Sequence, residues 1–427
     1  MNLSSIWSRL GSKGAKGGLV LVVGTVIGQL VTFGVTPFLA RLYSDEDFGY
    51  LSLVVSAMSV VAPAAALKLD SALMLPTSKR DVSALFFTGL ASSLAVSALF
   101  VAVLEAIFAA GWLANMASLP GFSLWVAVVA FLTAGFTLLS QVALRGHQFA
   151  AVAKRSIYQA VLAAAIQLGW GFASPGATGL IGGYSAGRVF GIIPLASAAK
   201  KEFTGFALAD VRRLLKQYWQ FPALFTPSAI LNSAGLVAPV IFVGVWFSVA
   251  EAGQWAMADR IIAAPLVLVA TAAAQVIEAQ VSAMLRENRG NLVRYYLSLS
   301  AALTAVAAVV VALVVFVIPL VLPGILGAGW ELAGQLMIAM TPIVAVRLIV
   351  NPSSRVLLLL QQGAWTLGLD ILRVGLVGAV MVWTVVGALN LITAAWLFSA
   401  AMSIVYAVTW FVGLTAARRS SLPGERH

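Results

Sequence analysis

The chain has 427 residues, of which 61% are hydrophobic and only 10% charged, with a formal net charge of +11. A soluble globular domain carries about 25% charged residues, so this chain cannot cover itself with a water-compatible surface and reads as an all-α polytopic membrane protein. It has no cysteine and two histidines, His147 and His427, which excludes disulfides, thiolate nucleophiles and a histidine-rich metal site. The basic excess is read first as membrane topology and not as a nucleic-acid footprint.

In chain order, residues 1–17 form a polar, basic tail containing Arg9, Lys13 and Lys16. The apolar run that follows is too long for a signal-peptide core, so the first helix is expected to be retained with its basic flank in the cytoplasm. A spanning helix needs about 20 mostly apolar residues. Spans are expected at 18–41, 50–75, 83–109, 122–144, 150–172, 178–199, 221–246, 254–284, 295–319, 331–360, 366–386 and 390–415. Runs of this length far exceed the ten or so alternating residues of a barrel strand. The expected fold is therefore about twelve transmembrane helices in two pseudo-symmetric six-helix lobes.

The N-terminal lobe is expected at 18–199, a cytoplasmic linker at 200–217, the C-terminal lobe at 218–416 and a basic tail at 417–427. Charge supports that frame. With the N-terminus inside, Lys79-Arg80, Arg145 to Arg155, Lys200 to Lys216, Arg286 to Arg294, the Arg355 region and the C-terminal Arg418 and Arg419 all fall inside. Asp45, Glu46, Asp47, Glu251 and Glu331 fall outside. Both termini are then cytoplasmic by the positive-inside rule.

Two turns echo each other about two hundred residues apart. Tyr43, Ser44, Asp47 and Gly49 line up with Phe247, Ser248, Glu251 and Gly253, each set lying between long apolar runs. Such a repeat is the sequence trace of a transporter built from two related halves. Between those halves runs KKEFTGFALADVRRLLKQ, 200–217, whose mixture of apolar and basic residues suits an amphipathic helix on an anionic inner leaflet. The other loops are too short to house a catalytic domain, and no phosphate-binding glycine loop is present.

Ionisable residues inside spans are costly and mark functional candidates. The set is Lys68 and Asp70 in the second span, Arg188 in the sixth, Asp259 and Arg260 in the eighth, Arg347 in the tenth, and Asp370 and Arg373 in the eleventh. Arg145, Lys154, Arg155, Glu278 and Arg355 lie nearer the inner ends, where long side chains snorkel to water. Five of the eight deep residues are cationic. A water-filled cavity lined this way favours an anionic substrate, because arginine grips phosphate oxygens in bidentate geometry. Arg188 and Arg347 have no acid within one turn of their own helices and are the foremost candidates; Arg260, Lys68 and Arg373 complete the set. Asp70, Asp259 and Asp370 either pair with these cations or carry a coupling proton or sodium ion.

The run Gly24-x3-Gly28-Gln29-Leu30-Val31, followed by Leu39-Ala40-Arg41-Leu42-Tyr43-Ser44-x2-Asp47-Phe48-Gly49, resembles the opening of the polysaccharide transporter family. Leu67-Lys68-Leu69-Asp70-Ser71-Ala72-Leu73-Met74-Leu75-Pro76 resembles its next landmark. That family includes Wzx-type O-antigen and exopolysaccharide flippases, within the MOP superfamily that also holds multidrug extruders and lipid II flippases. The resemblance implies translocation of an undecaprenyl-pyrophosphate-linked oligosaccharide from the cytoplasmic to the periplasmic leaflet of the bacterial inner membrane. It implies alternating access without covalent chemistry or a cofactor, and glycan polymerase machinery as a candidate partner. Two departures are the Ser44-Asp45-Glu46-Asp47 turn, where the family usually has proline in second place, and Lys68.

Two other readings compete. An ion-coupled drug extruder of the same superfamily would carry an acidic surplus in its spans, opposite to the pattern here. A membrane glycosyltransferase or ligase would need a catalytic carboxylate or histidine in a large outer loop, and the outer loops are short.

Overall fold

Without water to satisfy them, backbone N–H and C=O groups in long apolar segments must pair within the segment, which selects helix. The computed structural model describes residues 13–262, 280–281, 284, 292–353 and 363–420, and these contain helices and turns without a strand. The helices are α1 (Lys13–Leu42), α2 (Asp45–Ala65), α3 (Lys79–Ala109), α4 (Phe122–Arg145), α5 (Phe149–Ala173), α6 (Ala177–Ala199), α7 (Leu208–Gln217), α8 (Thr226–Trp246), α9 (Leu292–Ala312), α10 (Glu331–Ala339), α11 (Thr341–Ser353), α12 (Gly363–Val386) and α13 (Leu391–Ser420), with a further helix through 249–262.

Nine helices among the described residues are long and apolar enough to cross a membrane, ten if α10 and α11 count as one bent span. The expected sixth span, α6, has the length, but its glycines and Arg188 leave it less apolar than the nine. Most of the expected eighth span, with Glu278, lies outside the described residues, as do most of the basic 286–294 loop, Arg355 and most of both tails.

The helices form two compact units, Met1–Gly253 and Gln254–His427. The first unit includes the linker and α8, which lies against α2 so closely that a Cβ on Gly244 would fall 2.6 Å from Leu53. In the second unit the chain bends by 51° between α10 and α11. Pro342, in the first turn of α11, lacks the N–H that would continue the ladder. Ser399 of α13 accepts from Ile343 N at 3.1 Å and so satisfies a backbone group near the break.

The two echoed turns fold alike. Ser44 Oγ accepts from Asp47 N at 3.1 Å while Asp47 Oδ2 accepts from Ser44 N at 3.0 Å, a capping box that starts α2. Ser248 Oγ likewise accepts from Glu251 N at 3.1 Å and donates to Glu251 Oε2 at 2.8 Å. The acids that fix these helix starts are the ones that make the turns acidic.

The second expected span is interrupted. α2 stops at Ala65, Leu67 and Lys68 take left-handed backbone conformations, and a one-turn helix, Leu69–Ala72, follows. Lys68 and Asp70 therefore lie past the end of α2, opposite the Asp45 turn, on a segment whose Leu73 and Thr77 carbonyls accept from Arg145 at 3.4 and 3.2 Å.

Candidate functional site

Glycine lets α6 lie against α5. A Cβ at Gly183 would fall 2.4 Å from Gln167 Cγ, and one at Gly187 would fall 2.6 Å from Gln159 O. Gly28 of α1 likewise approaches α5, a Cβ there falling 2.9 Å from Ser156 O. Small residues in a membrane helix allow this backbone-to-backbone approach. They hold the residue after Gly187, Arg188, eleven residues from either end of α6, which is about 16 Å at the helical rise.

Arg188 is only 8% exposed. Its Nε donates to Thr133 Oγ1 of α4 at 2.8 Å, its Nη2 donates to the Tyr184 hydroxyl one turn earlier, and its guanidinium lies 3.8 Å above the Tyr184 ring centroid. Nη1 has no hydrogen-bond partner among the described residues. Arg155 of α5 stands close enough for the two cations to act on each other. Its guanidinium sits 3.5 Å above the Phe136 ring centroid, it makes long contacts to Ser156 Oγ (3.4 Å) and Gln159 Oε1 (3.5 Å), and its Nε is unpartnered.

Neither arginine forms an ion pair among the described residues. Magnitudes show what this leaves. A guanidinium near mid-membrane is disfavoured by about 2.5–3.5 kcal/mol even on insertion scales. A ring face returns about 0.5–2 kcal/mol, and neutral hydroxyls satisfy hydrogen bonds without cancelling charge. Two neighbouring guanidinium groups, neither paired with a carboxylate among the described residues, therefore make this part of the helix packing positive and rich in donors. Arg155 itself and the residues that contact the two guanidinium groups, Thr133, Phe136, Gln159 and Tyr184, are half-buried.

The other expected residues are differently placed. Arg347 is half-buried on α11 and interacts electrostatically with Asp259, so its charge has an acid to answer it from another helix. Arg260 is half-buried and engaged by neighbouring groups. Arg373 and Asp370 form an ion pair at 3.1 Å along α12. Lys68 is half-buried and Asp70 is 9% exposed. These two make no ion pair with each other. The residue-level reading thus reached Arg188 but assigned Arg155 to the snorkelling set. Tyr184, four residues before Arg188 and so on the same helix face, was visible in sequence. Thr133 and Arg155 needed the packing of α4 and α5.

Residues 38–334 match the family described as polysaccharide biosynthesis protein. No curated relative matches the sequence. Among solved structures, the lipid II flippase MurJ in an inward closed conformation aligns with TM-score 0.71 and 13% identity, over 94% of this chain and 90% of that one. A multidrug-resistance MATE transporter of the MOP superfamily, inward-facing, aligns with TM-score 0.57 and 12% identity, over 92% and 96%. A MOP-superfamily transporter from Pyrococcus furiosus, described as having a binding pocket of reversed polarity, aligns with TM-score 0.56 and 16% identity, over 96% and 97%. At these identities the likeness is one of fold alone, a polytopic, all-helical architecture. With the family match spanning most of its length, this chain is a multi-pass membrane protein that belongs to the polysaccharide biosynthesis protein family.

Proposed function

We propose that the protein is a flippase of the bacterial inner membrane. It carries an undecaprenyl-pyrophosphate-linked oligosaccharide, an O-antigen or exopolysaccharide repeat unit, from the cytoplasmic to the periplasmic leaflet by alternating access. The observation that carries this reading is Arg188, buried midway along α6 with an N–H that has no partner, and no paired carboxylate, among the described residues. A charge in that state is best accounted for by an anionic ligand, and pyrophosphate is the anionic part of such a lipid.

Arg188 is the principal anchor in this reading, and Lys68 in the same unit, with Arg260, Arg347 and Arg373 in the other, are the further candidate cations. The Asp259–Arg347 and Asp370–Arg373 pairs, with Asp70, are the places where a proton or sodium ion would couple to movement. The protein performs no covalent step and needs no cofactor.

The test is complementation of a deletion strain. Arg188→Ala should abolish surface glycan and accumulate the lipid-linked precursor, with the membrane level of the protein unchanged. Normal glycan display by a well-expressed Arg188→Ala protein would overturn the reading. The multidrug transporters among the structural neighbours supply the competing one. It would show as drug sensitivity, with intact glycan, on deletion.

A further inference from the structure

Arg155 Cγ lies 3.6 Å from where a Cβ on Gly191 would stand, three residues after Arg188 on α6, so the N–H groups of Arg188 and Arg155 that lack a partner among the described residues lie in one neighbourhood. Thr133 Oγ1 and the Tyr184 hydroxyl each accept from Arg188, so each retains its own O–H to give. With Arg188 Nη1 and Arg155 Nε, these make four donors carried by α4, α5 and α6. Among the described residues, the side-chain oxygens bonded to the guanidinium groups are neutral ones and no carboxylate pairs with either cation. One ring lies against each guanidinium, Phe136 at Arg155 and Tyr184 at Arg188, so an anion would meet them at their N–H edges. Four donors and two guanidinium charges, with no carboxylate paired to them among the described residues, suit a tetrahedral oxyanion.

We propose that Arg155 is the second jaw of a two-arginine phosphoryl site lying wholly inside the first compact unit, and that Thr133 and Tyr184 add hydroxyl donors to the same phosphoryl group. Resting on the flippase reading, the inference makes that group one of the two in the transported lipid's pyrophosphate. A free phosphate or an anionic phospholipid headgroup offers the same chemistry.

The experiment uses full-length protein in phosphatidylcholine nanodiscs with inorganic pyrophosphate as probe, read by calorimetry. Wild type should bind. Arg155→Gln and Arg188→Gln should each bind about tenfold or more weakly, the scale of a lost charge-assisted hydrogen bond. Arg155→Lys should recover part of the loss, and Thr133→Val, which removes a donor and no charge, should weaken binding severalfold. Lys154→Gln, a neighbouring exposed cation, should bind as wild type. Equal pyrophosphate affinity in wild type and Arg155→Gln would overturn the site. If Arg188→Gln does not fold, Arg155→Gln and Thr133→Val decide.

Repeating the titration in discs containing phosphatidylglycerol separates the sources. Loss of pyrophosphate binding there would make a phospholipid headgroup the occupant and overturn the assignment to the transported lipid. Unchanged binding supports it. Glycan display in the deletion strain keeps the two proposals apart. Arginine-dependent pyrophosphate binding with normal display in Arg155→Gln would leave the site standing and sink the flippase reading. Lost display with unaltered pyrophosphate binding would do the reverse.

Discussion

Asp47 and Glu251 show how single residues shape the ends of this molecule. Each carboxylate closes the first turn of a helix through a serine three residues earlier, and two residues further on comes a glycine whose place no other residue can take. A Cβ on Gly49 would fall 1.9 Å from Val249 O, and one on Gly253 would fall 1.9 Å from Asp45 O. The two capped turns thus meet backbone to backbone. Overpacking a core commonly costs 1–3 kcal/mol where side chains can shift; here the atoms met are carbonyl oxygens, so the cost is expected at the upper end. Gly49→Ala and Gly253→Ala should each lower the thermal midpoint of the purified protein, and the double variant should fall short of the sum because both remove one contact. A wild-type midpoint in either variant would show that the turns do not meet in the stable form. This echo was legible in sequence because a capping box is local, written in four consecutive residues. Arg155 was not legible as part of a site. Its role depends on how close two helices come, and that is set by Gly183 and Gly187 on another element.

Among the elements, α7 is the one whose surroundings sequence alone assigned differently. Its apolar face was expected on the inner leaflet, yet that face lies on α3. Leu214 is 1% exposed and packs in the cluster with Val82, Leu85 and Phe86. Phe203 and Phe206 stack on Phe86 and Phe87 at centroid distances of 4.6 and 5.6 Å. Around that seam, Arg80 pairs with Asp210 at 2.6 Å, Arg213 with Asp81, and Lys79 with Glu202 at 3.6 Å. Amphipathicity reveals that a face is apolar but not whether lipid or protein covers it, which is why the linker's partner was hidden.

Asp210 anchors the arrangement. The backbone N–H of Ala207, which its carboxylate accepts at 2.8 Å, and then the Arg80 guanidinium hold its pKa below the usual carboxylate range. A carboxylate whose folded pKa is depressed contributes its stabilisation above the unfolded value, about 4, and loses it as pH falls through the folded value. Protection of the 203–217 backbone from hydrogen exchange should therefore decline as pH drops below about 4, once the intrinsic exchange rate is allowed for. Asp210→Asn should lower protection at neutral pH and flatten that acid dependence. An identical acid profile in Asp210→Asn would remove Asp210 as the anchor.

Over the whole molecule, the alternation of α1 to α6 sorts charge to two ends. The turns at 43–48 and 247–251 hold Asp45, Glu46, Asp47 and Glu251, while the ends that meet at 66–80, 145–149 and 199–217 hold Lys68, Lys79, Arg80, Arg145, Lys200, Lys201, Arg212, Arg213 and Lys216 against Asp70, Glu202 and Asp210. Because basic loops are retained in the cytoplasm, the second end should face inward and the acidic turns outward. That is also the direction a substrate made in the cytoplasm must travel. The absence of native cysteine makes the orientation directly measurable. Glu46→Cys and Arg212→Cys place single thiols on exposed residues at opposite ends. A membrane-impermeant maleimide should label the first in intact cells and the second only after the membrane is opened. The reverse pattern would invert the protein and place the linker clasp outside. It would also turn the proposed transport into uptake, because the orientation of the α7 end fixes which leaflet is the starting side.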